Sequence, residues 1–329
     1  MERHQAFAEL AADLPVLQLE SAPAGAGDLD EHLDDYLDFY GINFGEEFPQ
    51  ARHTLGRVES GAHHVAVQVW QQPGADNTLL LVHGYFDHVG LFGHLIRFGL
   101  SRGANVVAFD LPGHGLSSGE QAEISDFEEY RQAIVDVLAA VRELPGARQV
   151  IAQSTGAAAV MEYVQVTADP VFDQLVLLAP LVRPHSWGRI KLAHTLFHRW
   201  IREIPRKFAE NSQDREFLRF LRTDPLQSTI ISVRWLGALR AWIKRFLAHA
   251  PLQQELLILQ GDDDGTVDWV YNIPQIQQKF PRATVHYLPG GRHHLANESG
   301  ELRQSYLAII AAYLDAATLR GAGGSATLK

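Results

Sequence analysis

The sequence predicts an α/β fold: a mostly parallel central sheet with helices on both faces and a helical segment inserted into it. Three observations carry that prediction. Short β-rich runs recur along the chain, and several are almost purely apolar, as strands covered on both faces must be. Helical periodicity fills intervals between them, and alternation of strand with helix builds parallel sheets. One internal interval differs sharply in charge from its surroundings, which marks it as a separate unit.

Residues 1–60 read as an acidic N-terminal extension, with 13 acidic side chains against 3 basic ones. Within it "GDLDEHLDDYLDFYGINF" (27–44) has the pattern of an acidic amphipathic helix, with Leu29, Leu33, Tyr36, Leu37 and Tyr40 on one side. "SAPAGAG" (21–27) has the composition of a linker. Residues 61–181 form the first part of the core. Strands are expected at "HVAVQVW" (64–70), "NTLLLVHGY" (77–85), "NVVAFD" (105–110), "QVIAQ" (149–153) and "QLVLLAP" (174–180). In Phe127–Leu144 the apolar positions fall on one helical face.

Residues 182–250 are the expected helical cap insertion. Over 183–250 there are 14 Lys and Arg against 5 Asp and Glu, and four of the six tryptophans. Two stripes stand out there: Phe197, Trp200, Ile201 and Ile204, then Trp235, Leu239, Trp242 and Phe246. Such stripes pack a cap onto a core, and they also line a lid. The second part of the core, 251–318, supplies strands at "ELLILQ" (255–260) and "TVHYLP" (284–289). A helix through Leu302, Tyr306, Ile309, Ile310, Tyr313 and Leu314 follows. Residues 319–329 read as a flexible tail.

Composition excludes several classes of function. The chain has no cysteine, so disulfides, thiolate zinc sites and thiol catalysis are absent. No apolar stretch approaches the roughly 18 residues that span a bilayer, and the N-terminal stretch has no basic n-region of a signal peptide. The expectation is an intracellular, cytoplasmic protein. A net charge of −11 without a recognised motif argues against nucleic-acid binding.

In open α/β sheets reactive groups lie beyond the C-terminal ends of strands. Three such ends carry chemistry. "VIAQSTGAAAV" (150–160) ends a strand on Ser154, with small residues two before and two after it, Ala152 and Gly156. That spacing fits a sharp strand-to-helix turn that presents a nucleophilic hydroxyl; Ala152 stands where glycine is usual. A serine in this place also caps ordinary helices. "LLILQGDDDGTVD" follows its strand with Asp262, Asp263, Asp264 and Asp268, any of which would orient a histidine. "LPGGRHHLANE" carries His293 and His294 past the last strand. The order Ser…Asp…His is that of the α/β-hydrolase arrangement.

The chain resembles a known family in these motifs. "LLLVHGYFDHVGLFGHLIRFGLSRGANVVAFDLPGHGLSSGE" (79–120), "AQSTG", "GDDDGTV" and "GGRHHLANE" are similar to the α/β-hydrolase branch of monoacylglycerol lipases and lysophospholipases, whose members also carry the serine aminopeptidase label. The resemblance covers about residues 64–318. It implies an α/β-hydrolase fold and a triad of Ser154, Asp264 and His293, with His294 a bystander. It implies that the backbone N–H groups of Tyr85 and Thr155 form the oxyanion hole. It also implies that His83 and the "PGHG" loop shape the rim, so that His83, Asp87, His88 and His114 need no metal; no cofactor is expected.

The implied activity is carboxylic-ester hydrolysis through an acyl-enzyme on Ser154, with lysophospholipid or monoacylglycerol as substrate. Small esters or thioesters are the alternative, as is a hydrolase-fold acyltransferase or binding protein; a peptidase role ranks behind these. Fourteen basic residues in the insertion are a reason to expect peripheral contact with anionic lipid. The acidic segment 27–44 offers the opposite expectation, docking on the cap and neutralising it internally. The oligomeric state is not legible.

Overall fold

Strand runs that are apolar on both faces resolve into one twisted sheet with two hydrophobic layers. The structure, a computed structural model, describes residues 2–19, 28–167 and 171–324. The expected linker 21–27 lies outside that set.

Ten strands are described: β1 (Arg52–Ser60), β2 (His63–Gln71), β3 (Asn77–Val82), β4 (Asn105–Phe109), β5 (Ala147–Gln153), β6 (Gln174–Leu178), β7 (Glu203–Pro205), β8 (Ile230–Ser232), β9 (Leu256–Gly261) and β10 (Ala283–Leu288). Eight of them form the central sheet in the order β1-β2-β4-β3-β5-β6-β9-β10. β2 runs antiparallel to both β1 and β4, and the remaining neighbours are parallel. On β3, Leu80 and Val82 join one hydrophobic layer while Leu79 and Leu81 join the other. This two-sided burial is why the run "LLLV" shows no polar alternation.

The helices are α1 (Glu2–Ala12), α2 (Asp28–Tyr40), α3 (Gly93–Ser101), α4 (Glu128–Ala140), α5 (Thr155–Val166), α6 (Trp187–Phe197), α7 (Arg215–Leu221), α8 (Val233–Ala248), α9 (Trp269–Lys279) and α10 (Gly300–Gly324). Helix α4 packs on α5 on one face of the sheet, and α10 covers β6 and β9 on the other. Between β6 and β9 lie α6, the β7–β8 pair, α7 and α8.

Three boundaries differ from the sequence reading. The sheet begins at Arg52, inside the segment read as extension, because β1 pairs with β2 from Arg52↔Gln71 to Ser60↔His63. The polar string "RHTLGRVES" hides this: as the edge strand it needs one apolar face only. Helix α10 continues through Gly324, past the expected start of the tail at 319; residues 325–329 lie outside the described set. The expected strands at 77–85 and 174–180 stop at Val82 and Leu178, where the chain turns toward the site.

The acidic helix α2 does dock near the insertion, but through aromatic groups. Phe39 lies 5.2 Å from Phe220 between ring centroids, and the Tyr40 hydroxyl donates to Asp224 at 2.6 Å. The side chain of Leu29 lies outside the described set. Among the described residues no ion pair joins α2 to the insertion. The basic side chains Arg183, Arg234 and Arg245 pair with Asp268, with Glu123, and with Asp126 and Glu162, all outside the insertion.

Candidate active site

Strand β5 ends on Gln153, and the next residue holds a conformation that L-amino acids avoid: Ser154 has φ 54° and ψ −112°. The first helical residue of α5 follows at once, so the turn is as sharp as its spacing predicts. Gly156 is required by contact. A Cβ there would lie 2.4 Å from the carbonyl oxygens of both Val82 and His83. The alanines 157–159 are fully buried and let α5 lie against the sheet. The Ser154 N–H donates to the Leu178 carbonyl at 2.9 Å, and its carbonyl accepts from Leu181 at 3.2 Å, which fixes the strained residue from both sides.

Asp264 stands in the loop after β9. Its Oδ1 accepts the N–H groups of Thr266 and Val267 at 2.8 and 3.2 Å, and its Oδ2 accepts from Gln260 Nε2 at 3.1 Å. That same Oδ2 accepts from His293 Nδ1 at 2.8 Å. The opposite ring nitrogen, His293 Nε2, lies 2.9 Å from Ser154 Oγ, poised to accept its hydroxyl proton. Residues from three separate strand ends thus form one hydrogen-bonded chain, and all three are buried. The loop that carries His293 is tied to the turn it serves, because the Ala296 N–H donates to Gln153 Oε1 at 2.9 Å.

Electrostatics favour a base at Nε2. Burial disfavours the imidazolium, but the charge and hydrogen bond of Asp264 outweigh it and raise the pKa of His293 above the ordinary 6.5. Burial alone would raise the Asp264 carboxyl; the charge and hydrogen bond of His293, with the Thr266 N–H, hold it below its ordinary value. The orienting carboxylate therefore stays ionised where the imidazole titrates.

The other sequence candidates resolve differently. Asp262 and Asp263 do not reach the histidine: Asp262 accepts from the Gly290 N–H at 2.6 Å and Asp263 pairs with Arg292 at 3.4 Å. Asp268 caps α9 and pairs with Arg183. His83 Nδ1 donates to the Gly84 carbonyl at 2.7 Å, while its Nε2 accepts the Leu111 N–H at 2.9 Å, so both nitrogens are committed to backbone. Burial, with His114 nearby, pushes the His83 pKa down to about 3. Asp87 pairs with His294 at 3.1 Å and His88 with Asp224 at 2.9 Å. His294, read as a bystander to the triad, is buried and holds Asp87, the residue that follows "HGYF". Sequence reasoning missed Gln227 and Arg206, which meet that same turn from far along the chain. No local signal announces contacts of such separation.

A family profile described as "Serine aminopeptidase, S33" matches residues 73–300, more than half the chain. The chain belongs to the S33 serine aminopeptidase family. Curated relatives of this S33 protein include the uncharacterized protein YnbC of Escherichia coli, 29% identical over 268 residues. That alignment takes in 73% of the chain but 43% of YnbC, so the chain spans less than half of that relative's length. Phospholipase YtpA of Bacillus subtilis is 23% identical over 60% of the chain and 80% of its own length. Among solved structures, a soluble variant of monoglyceride lipase from Saccharomyces cerevisiae, crystallised with a substrate analog, superposes with a TM-score of 0.70. It shares 17% identity over 81% of this chain and 95% of that one. Its likeness establishes for the S33 protein the α/β-hydrolase fold.

Proposed function

We propose that this S33-family hydrolase is a serine carboxylic-ester hydrolase acting through an acyl-enzyme on Ser154, with lipid monoesters, lysophospholipid or monoacylglycerol, as substrates. The single observation behind the chemistry is the chain Ser154 Oγ–His293 Nε2 at 2.9 Å and His293 Nδ1–Asp264 Oδ2 at 2.8 Å. His293 takes the Ser154 proton as Oγ attacks the ester carbonyl carbon. Asp264 holds the ring with its proton on Nδ1 and stabilises the imidazolium that forms. The N–H groups of Tyr85 and Thr155 are assigned to the oxyanion, where one donor is worth about 3–4 kcal/mol. Collapse breaks the bond to the alcohol, which leaves with the proton from Nε2. Water then attacks the acyl-enzyme, Nε2 takes its proton, and that proton returns to Oγ as the acid departs.

Two observations support a lipid substrate. One relative, YtpA, bears a phospholipase name, and the Saccharomyces cerevisiae structure bears that of a monoglyceride lipase. The insertion presents an apolar surface to solvent along α6 and into β7: Trp200 is 78% exposed and Leu192 61%, with Leu196, Phe197, Ile201 and Ile204 beside them. Lys191, Arg199 and Arg202 flank this stripe, exposed and without ion pairs among the described residues. An apolar patch rimmed by cations fits the surface of an anionic bilayer, from which lipid monoesters are drawn. Among the described residues no helix is long and apolar enough to cross a membrane.

The test joins a fluorophosphonate probe to a substrate panel. The expected result is labelling at Ser154, loss of labelling and of turnover in Ser154→Ala, and preference for lysophosphatidylcholine or monoacylglycerol over p-nitrophenyl acetate. Activity surviving in Ser154→Ala would overturn the mechanism. Preference for the shortest esters would overturn the substrate class alone.

A further inference from the structure

The turn that carries Tyr85 is not self-supporting. The Asp87 N–H donates to the Gly84 carbonyl at 3.1 Å, closing a four-residue turn, and Phe86 in its third position has φ 74°. That value suits glycine; a phenylalanine left free would relax to negative φ and draw the Asp87 N–H away from the Gly84 carbonyl, releasing the Gly84–Tyr85 peptide that carries the Tyr85 N–H. The turn lies directly against the nucleophile. A Cβ on Gly84 would come within 3.3 Å of the Ser154 Cβ and 2.8 Å of Asp87 Oδ2, so small displacements here change the space above Oγ.

What holds the strained residue comes from the insertion. Gln227 Nε2 donates to the Phe86 carbonyl at 2.8 Å. Gln227 is itself buried, and its Oε1 accepts from Arg206 Nη1 at 2.6 Å, which fixes which end of the amide faces the turn. The Arg206 guanidinium lies 3.9 Å from the centre of the Phe86 ring. On the preceding residue, the Tyr85 ring stacks on Trp235 at 3.8 Å and its hydroxyl accepts the Ser232 N–H at 3.3 Å. Both side chains of the turn's centre are thus gripped by residues more than a hundred positions later in the chain.

We propose that Gln227, braced by Arg206, is a positioning residue for the oxyanion hole: the seated insertion keeps the Tyr85 N–H aimed by holding the Phe86 carbonyl. The inference rests on the catalytic reading given above. It makes the insertion part of the machinery that stabilises the transition state, so an insertion lifted from the core leaves a triad without its full oxyanion hole. A contact that merely fastened the insertion to the core would affect stability and substrate entry instead.

The substitution Gln227→Glu separates these roles. It keeps the side-chain shape and the acceptor for Arg206 but cannot donate to the Phe86 carbonyl. For p-nitrophenyl butyrate we expect kcat to fall about tenfold or more with KM within about twofold, the signature of an interaction made in the transition state. The second-order rate of fluorophosphonate labelling at Ser154 falls in parallel, and the melting temperature stays near that of the parent. A folded Gln227→Glu protein with kcat within about twofold of the parent would overturn the proposal. If that variant does not fold, Arg206→Lys, which keeps the charge but not the planar fork, is read by the same kcat and KM criteria. Ser154→Ala is measured alongside. Activity in Ser154→Ala overturns the catalytic reading and this proposal with it; a dead Ser154→Ala beside a fully active Gln227→Glu overturns only the proposal.

Discussion

The two aromatic stripes of the insertion have the same kind of composition and opposite fates. Along α8, Trp235, Leu239, Trp242 and Phe246 are all buried, and the Trp242 ring stacks on Phe127 with centroids 5.0 Å apart. Arg245 on the same helix pairs with Asp126 at 2.5 Å and with the buried Glu162 at 3.4 Å. Along α6 and β7, Phe197, Trp200, Ile201 and Ile204 face solvent. An apolar stripe is therefore an instruction to be covered, not a statement of what covers it. Helix α8 finds the core layer of α4; the earlier stripe stays exposed among the described residues, Trp200 most of all, and its proposed cover is lipid.

The largest expected effect tests the buried half. Trp242→Ala should cost about 3–5 kcal/mol of unfolding free energy, because a large side chain is removed from a packed layer. Trp200→Ser should change it by no more than about 0.5 kcal/mol. Urea unfolding of the two variants measures the contrast, and equal losses would mean that α6 is packed in solution.

Vesicle partitioning tests the exposed half. Trp200→Ser should weaken binding to anionic vesicles by about 2 kcal/mol, roughly 30-fold, from lost apolar burial. Arg199→Gln and Arg202→Gln should each weaken it by about 1 kcal/mol, with the effect fading at high salt. Binding that is indifferent to all three would remove the membrane from the reading.

The pH profile should not distinguish the outer stripe from the parent. His293 must be neutral to accept the Ser154 proton, and its pKa is raised by Asp264 against the effect of burial. Activity on a soluble ester is therefore lost as pH falls, with an acid limb of kcat/KM lying above 6.5, the ordinary histidine value. Trp200→Ser should share that limb to within about 0.2 units, because nothing on the outer stripe touches the triad. Asp264→Asn should move the limb downward, since the group that raises the imidazole pKa is gone.

Much of the site was legible because its residues are fixed by local geometry. Ser154 needs small neighbours at 152 and 156, and those neighbours are in the string. The family resemblance singles out Asp264 among four aspartates, and that is the one whose carboxylate meets His293. The strand Arg52–Ser60 was not legible, since an edge strand with one covered face reads as a polar segment. Nor was the part played by Gln227, Arg206 and His294, whose partners lie in the turn after β3.

By itself the sequence determined the periodicities that make strands and helices, the two-sided burial that makes the sheet parallel, and the small residues that let a strained serine stand at its edge. These are short-range matters of sterics and hydrophobic pattern, settled within a few residues. Only the tertiary structure decided which aromatic stripe is covered and which distant residues meet the turn beside Ser154. Those outcomes depend on surfaces brought together from distant parts of the chain, where complementary shape and hydrogen-bond geometry select the partner and one-dimensional spacing carries no record of it.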